Sequence, residues 1–344
     1  MTRILFAIPG DIESRTGGYE YSRRVLAALE NASHLPLPGA FPHPAEADVV
    51  AVREAISHAL RPGDILLIDG LAYGALPVST FDAVAAPIVA LCHHPLCLET
   101  GLRPERAAAL RESEAAALRR ADRIIVTSAH TGETLTEIFG VAPEKIAIAL
   151  PGVDPTPRAL GSGGAPALLA VGSLIPRKGF DILIDALSAL THLDWRLDIV
   201  GSPRHAPETA AALRARIDAN AMSNRIFLRG EATDNERAAH YARGDVFVSS
   251  SHYEGYGMAL AEALAAGLAI VTTTGGAAAQ TAPDGCALKI PPGDIAALRV
   301  ALSRVLTEPD LRSDLSDAAW RAGQCLPRWA DTARIILSVA ETFT

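Results

Sequence analysis

Cysteine is scarce in this chain. It has four in 344 residues, and none of them (Cys92, Cys97, Cys286, Cys325) stands in C-x-x-C spacing with another. That argues against a disulfide framework and for reduced, mostly buried thiols. Cys92 and Cys97 flank "HHPL", but Cys92 and His93 would point to opposite faces of a strand, which argues against joint metal ligation. No apolar run approaches the roughly 18 to 20 residues of a membrane span. The start, "MTRILFAIPGD", enters a strand pattern with no apolar leader or cleavage site, so a cytoplasmic location is expected. Strong charge is also missing. Of the formal net −8, residues 1–154 carry −6 (13 basic, 19 acidic) and the remainder −2 (18 and 20). Neither half has the basic surface that holds nucleic acid, and contact with anionic lipid is expected to be weak and peripheral at most. These absences point to a small bound partner.

What is present is a regular alternation. With 49% apolar and 20% charged residues, the chain has the balance of a globular enzyme and a length that suits two domains. The runs "RILFAI" (3–8), "DILLID" (64–69), "PIVALC" (87–92), "RIIVTS" (123–128) and "KIAIAL" (145–150) read as buried parallel strands. Helix-period stretches such as 19–30 and 105–121 lie between them. The rhythm breaks at "LPGVDPTPRALGSGGAP" (150–166), where four prolines and four glycines make a non-helical linker. It then resumes with runs at 167–173, 195–202, 225–230, 245–250 and 269–274. The expected fold class is α/β, with two Rossmann-like, doubly wound parallel-sheet domains facing a cleft. The expected domains are 1–154 and 155–326. A helical tail, 327–344, follows a kink at Pro327 and crosses back to the first domain.

Open α/β sheets bind ligands at the carboxyl ends of their strands, so those ends hold the candidate residues. After the first strand, Gly17 and Gly18 open a helix and leave backbone N–H groups clear for phosphate. The pattern is not G-x-G-x-x-G, so a dinucleotide is not indicated, and a plain tight turn is the alternative. After 87–92 come His93 and His94, where a structural histidine is the competing reading. After 167–173 come Arg177 and Lys178, placed at a helix start where cations oppose the dipole and call for an anion. The chain has only three lysines against 28 arginines, so Lys178 departs from its general preference; a solvated basic surface is the alternative. In "EGYGMALAEALAAG", Glu254 falls in a loop and Glu262 about two turns into the next helix. Gly255 and Gly257 allow close approach, and the N–H groups of Gly257, Met258 and Ala259 open the helix. One acid can meet a sugar and the other a ribose, with phosphates between them.

At this point the sequence resembles the retaining glycosyltransferases of family 4, which have the GT-B fold. The resemblance runs over nearly the whole chain, through "TGGYEYSRRVLAAL", "HHP", "VGSLIPRKGFDILIDAL", "EGYGMALAEALAAGLAIVTTTGG" and "PPGD". It implies transfer of a sugar from a nucleotide-diphosphate donor, UDP- or GDP-linked, to a hydroxyl of a sugar, lipid-linked or small-molecule acceptor. The anomeric configuration would be kept, with no cofactor and no metal. It implies that Gly18 approaches the donor diphosphate, Arg177 and Lys178 neutralise it, and Gly257, Met258 and Ala259 lie beneath it. Glu254 and His93 would meet the donor sugar, and Glu262 the ribose. Two departures stand out: Pro151 replaces the usual Asn before "GVD", and "AAAQTAPDG" lacks the acid that commonly follows "TTTGG". A GT-B epimerase and a non-catalytic sugar-nucleotide binding protein are the alternative readings.

Overall fold

The structure, a computed structural model, describes residues 2–343. The strands in chain order are β1 (Ile4–Pro9), β2 (Ala32–Leu37), β3 (Ile65–Asp69), β4 (Ile88–Cys92), β5 (Arg123–Val126) and β6 (Ile146–Ile148), then β7 (Ala167–Val171), β8 (Arg196–Val200), β9 (Ile226–Gly230), β10 (Val246–Ser249), β11 (Ala269–Thr273) and β12 (Ala287–Ile290). They form two six-stranded sheets, ordered β2-β1-β3-β4-β5-β6 and β12-β11-β10-β7-β8-β9. Every strand pairing is parallel. The central strands are buried along their length, as in "ILLID" and "IVALC", because helices cover both faces and leave no residue for solvent.

Two strands escape the sequence reading, β2 and β12, and each is the terminal strand of its sheet. An edge strand is covered on fewer sides, so β2 ("ASHLPL") can be half-exposed and can carry Pro36 without breaking a central ladder. Neither strand needs the continuous apolar run that marks its neighbours.

Strand order turns back between β1 and β3 in the first sheet and between β7 and β10 in the second. Loops leaving neighbouring strands on either side of such a point diverge and open a crevice. The segments leaving β7 and β10 carry Arg177–Lys178 and Glu254; those leaving β1 and β3 carry Gly17–Gly18 and Asp69.

The chain divides into two compact units, Met1–Gly152 with Pro327–Thr344, and Val153–Leu326. The tail is a helix of its own (Trp329–Glu341), separated from Pro309–Gly323 by residues 324–328 rather than joined to it through a kink. It packs within the first unit. Trp329 meets the edge of Tyr21 at 5.7 Å, and Thr332 Oγ1 donates to the Leu150 carbonyl (2.7 Å). At Gly152 a Cβ would stand 2.2 Å from the Trp329 nitrogen, so only glycine permits this approach. Among the described residues no helix is long and apolar enough to cross a membrane.

Candidate active site

In the second unit the site starts from a glycine. Arg177 and Lys178 lie in a short 3-10 turn, Pro176–Lys178, and left-handed Gly179 (φ +60°) divides it from the helix Phe180–Ser188. They therefore precede the helix, one turn earlier than the sequence spacing suggests. A Cβ at Gly179 would lie 2.3 Å from the Ser250 carbonyl oxygen, so this glycine brings the turn against the segment leaving β10. Three further contacts tie the two together. Ser250 Oγ donates to the Lys178 carbonyl (3.0 Å), His252 N to the Arg177 carbonyl (2.8 Å), and Arg177 Nη1 to the Tyr253 carbonyl (2.8 Å).

Glu254 is held from the other side by Gly275 and Gly276. Its N–H donates to the Gly275 carbonyl (3.2 Å), and Ala277 N donates to its own carbonyl (2.8 Å). A Cβ at Gly276 would fall 2.3 Å from the Glu254 carbonyl oxygen. The "GG" of "TTTGG" is thus a clearance for the Glu254 backbone, whatever residue follows it. Thr273 Oγ1 also donates to the Ser251 carbonyl (2.5 Å), and Thr281 Oγ1 to the Tyr256 carbonyl (2.5 Å).

With the backbone fixed, the Glu254 side chain is 9% exposed. Oε1 accepts from Lys178 Nζ (2.7 Å) and Ser251 Oγ (2.6 Å), and Oε2 lies 3.8 Å from Arg177 Nη1. Burial pushes this carboxyl up, but the charges of Lys178 and Arg177, with the hydrogen bonds from Lys178 and Ser251, outweigh it and hold the group below the ordinary carboxylate range. The anion that Arg177 and Lys178 call for is therefore already supplied, in part, by Glu254. Lys178 lies across Gly172, where a Cβ would meet its Cε at 3.0 Å, so its stem is confined as well as its head.

Gly257 (φ +94°) caps the helix Met258–Ala266. Its left-handed turn presents the first N–H groups, from Gly257 to Ala259, at the helix mouth. Glu262 is on the same helix with different partners. Its Oε2 is 3.4 Å from Arg237 Nε, and Arg237 comes from the helix Asp234–Arg243. Tyr241 from that helix donates to the Ala259 carbonyl (3.0 Å). Burial, then the neighbouring Glu262 carboxylate, raises the Tyr241 phenol well above its ordinary value. The structure joins Arg177, Lys178 and Glu254 in one cluster and gives Glu262 a separate anchorage.

The first unit holds the remaining candidates. Gly17 begins the helix Gly17–Ala28, and the Cβ position of Gly18 lies 3.6 Å from His93 Cδ2. The His93 ring meets the edge of Tyr21 at 5.1 Å, and its Nε2 is 3.6 Å from Asp69 Oδ2. Asp69 is buried at the end of β3, and its other oxygen accepts from Leu71 N (2.8 Å). The turn after His94 is held by Glu114 of the helix Pro104–Arg120, which accepts from Leu96 N (2.6 Å) and Cys97 N (2.9 Å). Burial raises the Glu114 carboxyl above its ordinary range despite those bonds. Burial likewise pushes the Cys97 thiol up to about 12, followed by the Glu114 charge, so Cys97 is an inert packing thiol. Among the described residues no group of three or more His, Cys, Asp or Glu side chains is arranged around a common point.

Sequence reasoning missed Asp69, Glu114, Ser251, Arg237 and Tyr241. Asp69 had a usable signal, being an acid at the carboxyl end of an apolar strand. The others sit in ordinary helical or serine-rich stretches, and only the fold brings them to the site.

Two family models match the chain: Glycosyltransferase Family 4 over residues 18–157 and Glycosyl transferases group 1 over residues 165–308. The chain belongs to this glycosyltransferase family, and its fold is GT-B. Among curated relatives, the mannosylfructose-phosphate synthase of Agrobacterium fabrum is 27% identical over 243 residues, 65% of this chain and 53% of that protein. The GDP-mannose-dependent alpha-(1-6)-phosphatidylinositol monomannoside mannosyltransferase of Mycolicibacterium smegmatis is 32% identical over 221 residues, 56% of each. The chain spans a little over half the length of these relatives. Among solved structures, the sucrose-phosphate synthase of Thermosynechococcus elongatus superposes with a TM-score of 0.84 at 20% identity, covering 99% of both chains. Anabaena HepE in complex with UDP and glucose gives 0.83 at 16%, covering 99% of this chain and all of that one.

Proposed function

We propose that the protein is a retaining glycosyltransferase that moves a sugar from a nucleotide-diphosphate donor to an acceptor hydroxyl without a metal ion. The observation that carries this reading is the buried Glu254 carboxylate clasped by Lys178 and Arg177 at the strand-order reversal of the second sheet, beside a helix whose N-terminus has no side-chain cap. A relative named for GDP-mannose and structures of HepE in complex with UDP and with UDP-glucose support a nucleotide-sugar donor.

In this reading the diphosphate lies over the mouth of the helix Met258–Ala266, with Arg177 and Lys178 taking up the charge that grows on it. Glu262 accepts from ribose hydroxyls, and Glu254 accepts from hydroxyls of the donor sugar. The bond between the anomeric carbon and the phosphate oxygen breaks as the acceptor oxygen attaches on the same face. The acceptor's proton passes to the departing phosphate oxygen, so no separate protein base is required. Gly17, Gly18 and His93 are assigned to the donor's diphosphate and sugar, and the loops of the first unit to the acceptor.

Incubation with UDP-, GDP- and ADP-sugars and a panel of hydroxyl acceptors tests it. The expected result is free nucleotide diphosphate and a glycoside with the donor's anomeric configuration by NMR, unaffected by EDTA. An inverted product, or full dependence on added manganese, contradicts the mechanism; an epimerised donor with no glycoside contradicts the assignment.

A further inference from the structure

The second sheet has another cavity, at the opposite ends of its strands. It measures about 340 Å³, and Arg196, Asp198, Arg229, His240 and Arg243 supply its polar wall. Ala167 and Arg196 are the first residues of β7 and β8, and Gly244 stands just before β10, so the cavity opens near the amino ends of strands whose carboxyl ends hold Lys178 and Glu254. Arg196 and Asp198 share a face of β8 by the two-residue period of a strand. His240 and Arg243 come from the last turn of the helix Asp234–Arg243. None of these five residues belongs to a motif of the candidate active site.

The charges do not cancel. Asp198 takes Arg229 Nε on one oxygen (2.7 Å) and His240 Nδ1 on the other (3.3 Å). Arg243 gives Nε to the Ala239 carbonyl (3.2 Å). No carboxylate pairs with Arg196 or Arg243 among the described residues. Three guanidinium groups against one aspartate leave two positive charges before His240 is counted, in a chain of net −8. A monocarboxylate would leave one of them unmatched, whereas a phosphate monoester dianion matches both and suits the planar guanidinium fork. The volume falls within the small-molecule range and exceeds what a bare phosphate fills.

We propose that this cavity binds a small phosphate monoester, such as a sugar phosphate, independently of the Lys178–Glu254 cluster. The same helix carries Arg237 and Tyr241, the partners of Glu262 and of the Ala259 carbonyl, so the ligand would rest on the element that anchors Glu262.

Calorimetry on the full chain tests this, with glucose 6-phosphate as the probe, inorganic phosphate as the unesterified arm and glucose as the neutral control. Buffers should contain about 0.15 M salt, to screen unspecific attraction. Glucose 6-phosphate is expected to bind at one site. Arg196→Gln with Arg243→Gln, two exposed positions, is expected to weaken it about tenfold or more, with an unchanged thermal melt, while Lys178→Ala leaves it within about twofold. No binding of glucose 6-phosphate, binding of inorganic phosphate alone, or loss of binding in Lys178→Ala but not in the double variant would overturn the proposal.

Discussion

Each sheet reverses its strand order beside its own first strand, between β1 and β3 and between β7 and β10, yet the candidate residues of the two units are held by different physics. In the second unit a buried carboxylate is fixed by two cations and a hydroxyl, and its loop is bound to the segments after β7 and β11 by a run of backbone contacts. In the first unit an imidazole stands 3.6 Å from a buried aspartate at the end of β3, bordered by a glycine whose Cβ position is at ordinary contact distance. The second unit's cluster is set by charge that has to be satisfied even before a ligand arrives; the first unit's is set mainly by shape. A buried ion pair is costly to break from one side only, so the first arrangement specifies its loop tightly.

The largest effect that would sharpen this contrast is expected at Lys178. Lys178→Ala leaves Glu254 buried with only the more distant Arg177 as a cationic partner and should cost about 3 kcal/mol of stability in urea unfolding. Adding Glu254→Gln should restore a large part of that loss, because the unmatched charge goes with it. Strict additivity of the two substitutions would show that the pair is not coupled.

Next come two glycines, one from each unit. Gly179→Ala puts a Cβ 2.3 Å from a backbone carbonyl oxygen in a left-handed conformation and should cost about 2 kcal/mol. Gly18→Ala meets His93 at an ordinary 3.6 Å within a helix and should change stability by about 0.5 kcal/mol or less, with the helical preference for alanine offsetting any strain. Equal losses in the two melts would erase the distinction between the charge-set and shape-set clusters.

The smallest effect is in pH dependence, where the two units should differ in sign. Glu254 titrates below the ordinary carboxylate range in the folded state. Its stabilising contribution is therefore present above the unfolded value and is lost as pH falls through the folded one. Glu114 titrates above its ordinary range, so its contribution is complete below the unfolded value and is lost as pH rises through the folded one. Acid unfolding should accordingly flatten in Glu254→Gln and steepen in Glu114→Gln. The same change of slope in both would contradict the opposed environments.

The sequence made much of this legible because the relevant signals are local. Buried central strands announce themselves as unbroken apolar runs, whereas β2 and β12, half-covered at the edges, carry no such mark. Glu254, Arg177 and Lys178 stand out as charged residues beside glycines past strand ends, and Glu262 as the second acid of the E-x₇-E spacing. What could not be read is whom they face. That Lys178 and Glu254, 76 positions apart, meet at 2.7 Å follows from β7 and β10 being neighbours in the sheet, which no spacing encodes. Gly275 and Gly276 look like a turn, and only the backbone carbonyls of His252 and Glu254 beside them show what a side chain there would strike. Glu114 reads as one more acid on a helix rich in charge; its burial comes from the loop folded over it.

The central claim is that Glu262 serves the nucleotide and Glu254 the sugar, with Lys178 shared between Glu254 and the diphosphate. Calorimetry with UDP and GDP on the wild type, Glu262→Ala and Glu254→Gln tests it directly. Glu262→Ala should weaken the preferred nucleotide by roughly tenfold to a hundredfold, the loss of a charged hydrogen bond of about 1.5 to 3 kcal/mol. Glu254→Gln should leave that affinity unchanged or tighten it, because Lys178 is released toward the phosphates, while turnover of the full donor falls. Equal weakening by both substitutions in folded protein would contradict the account.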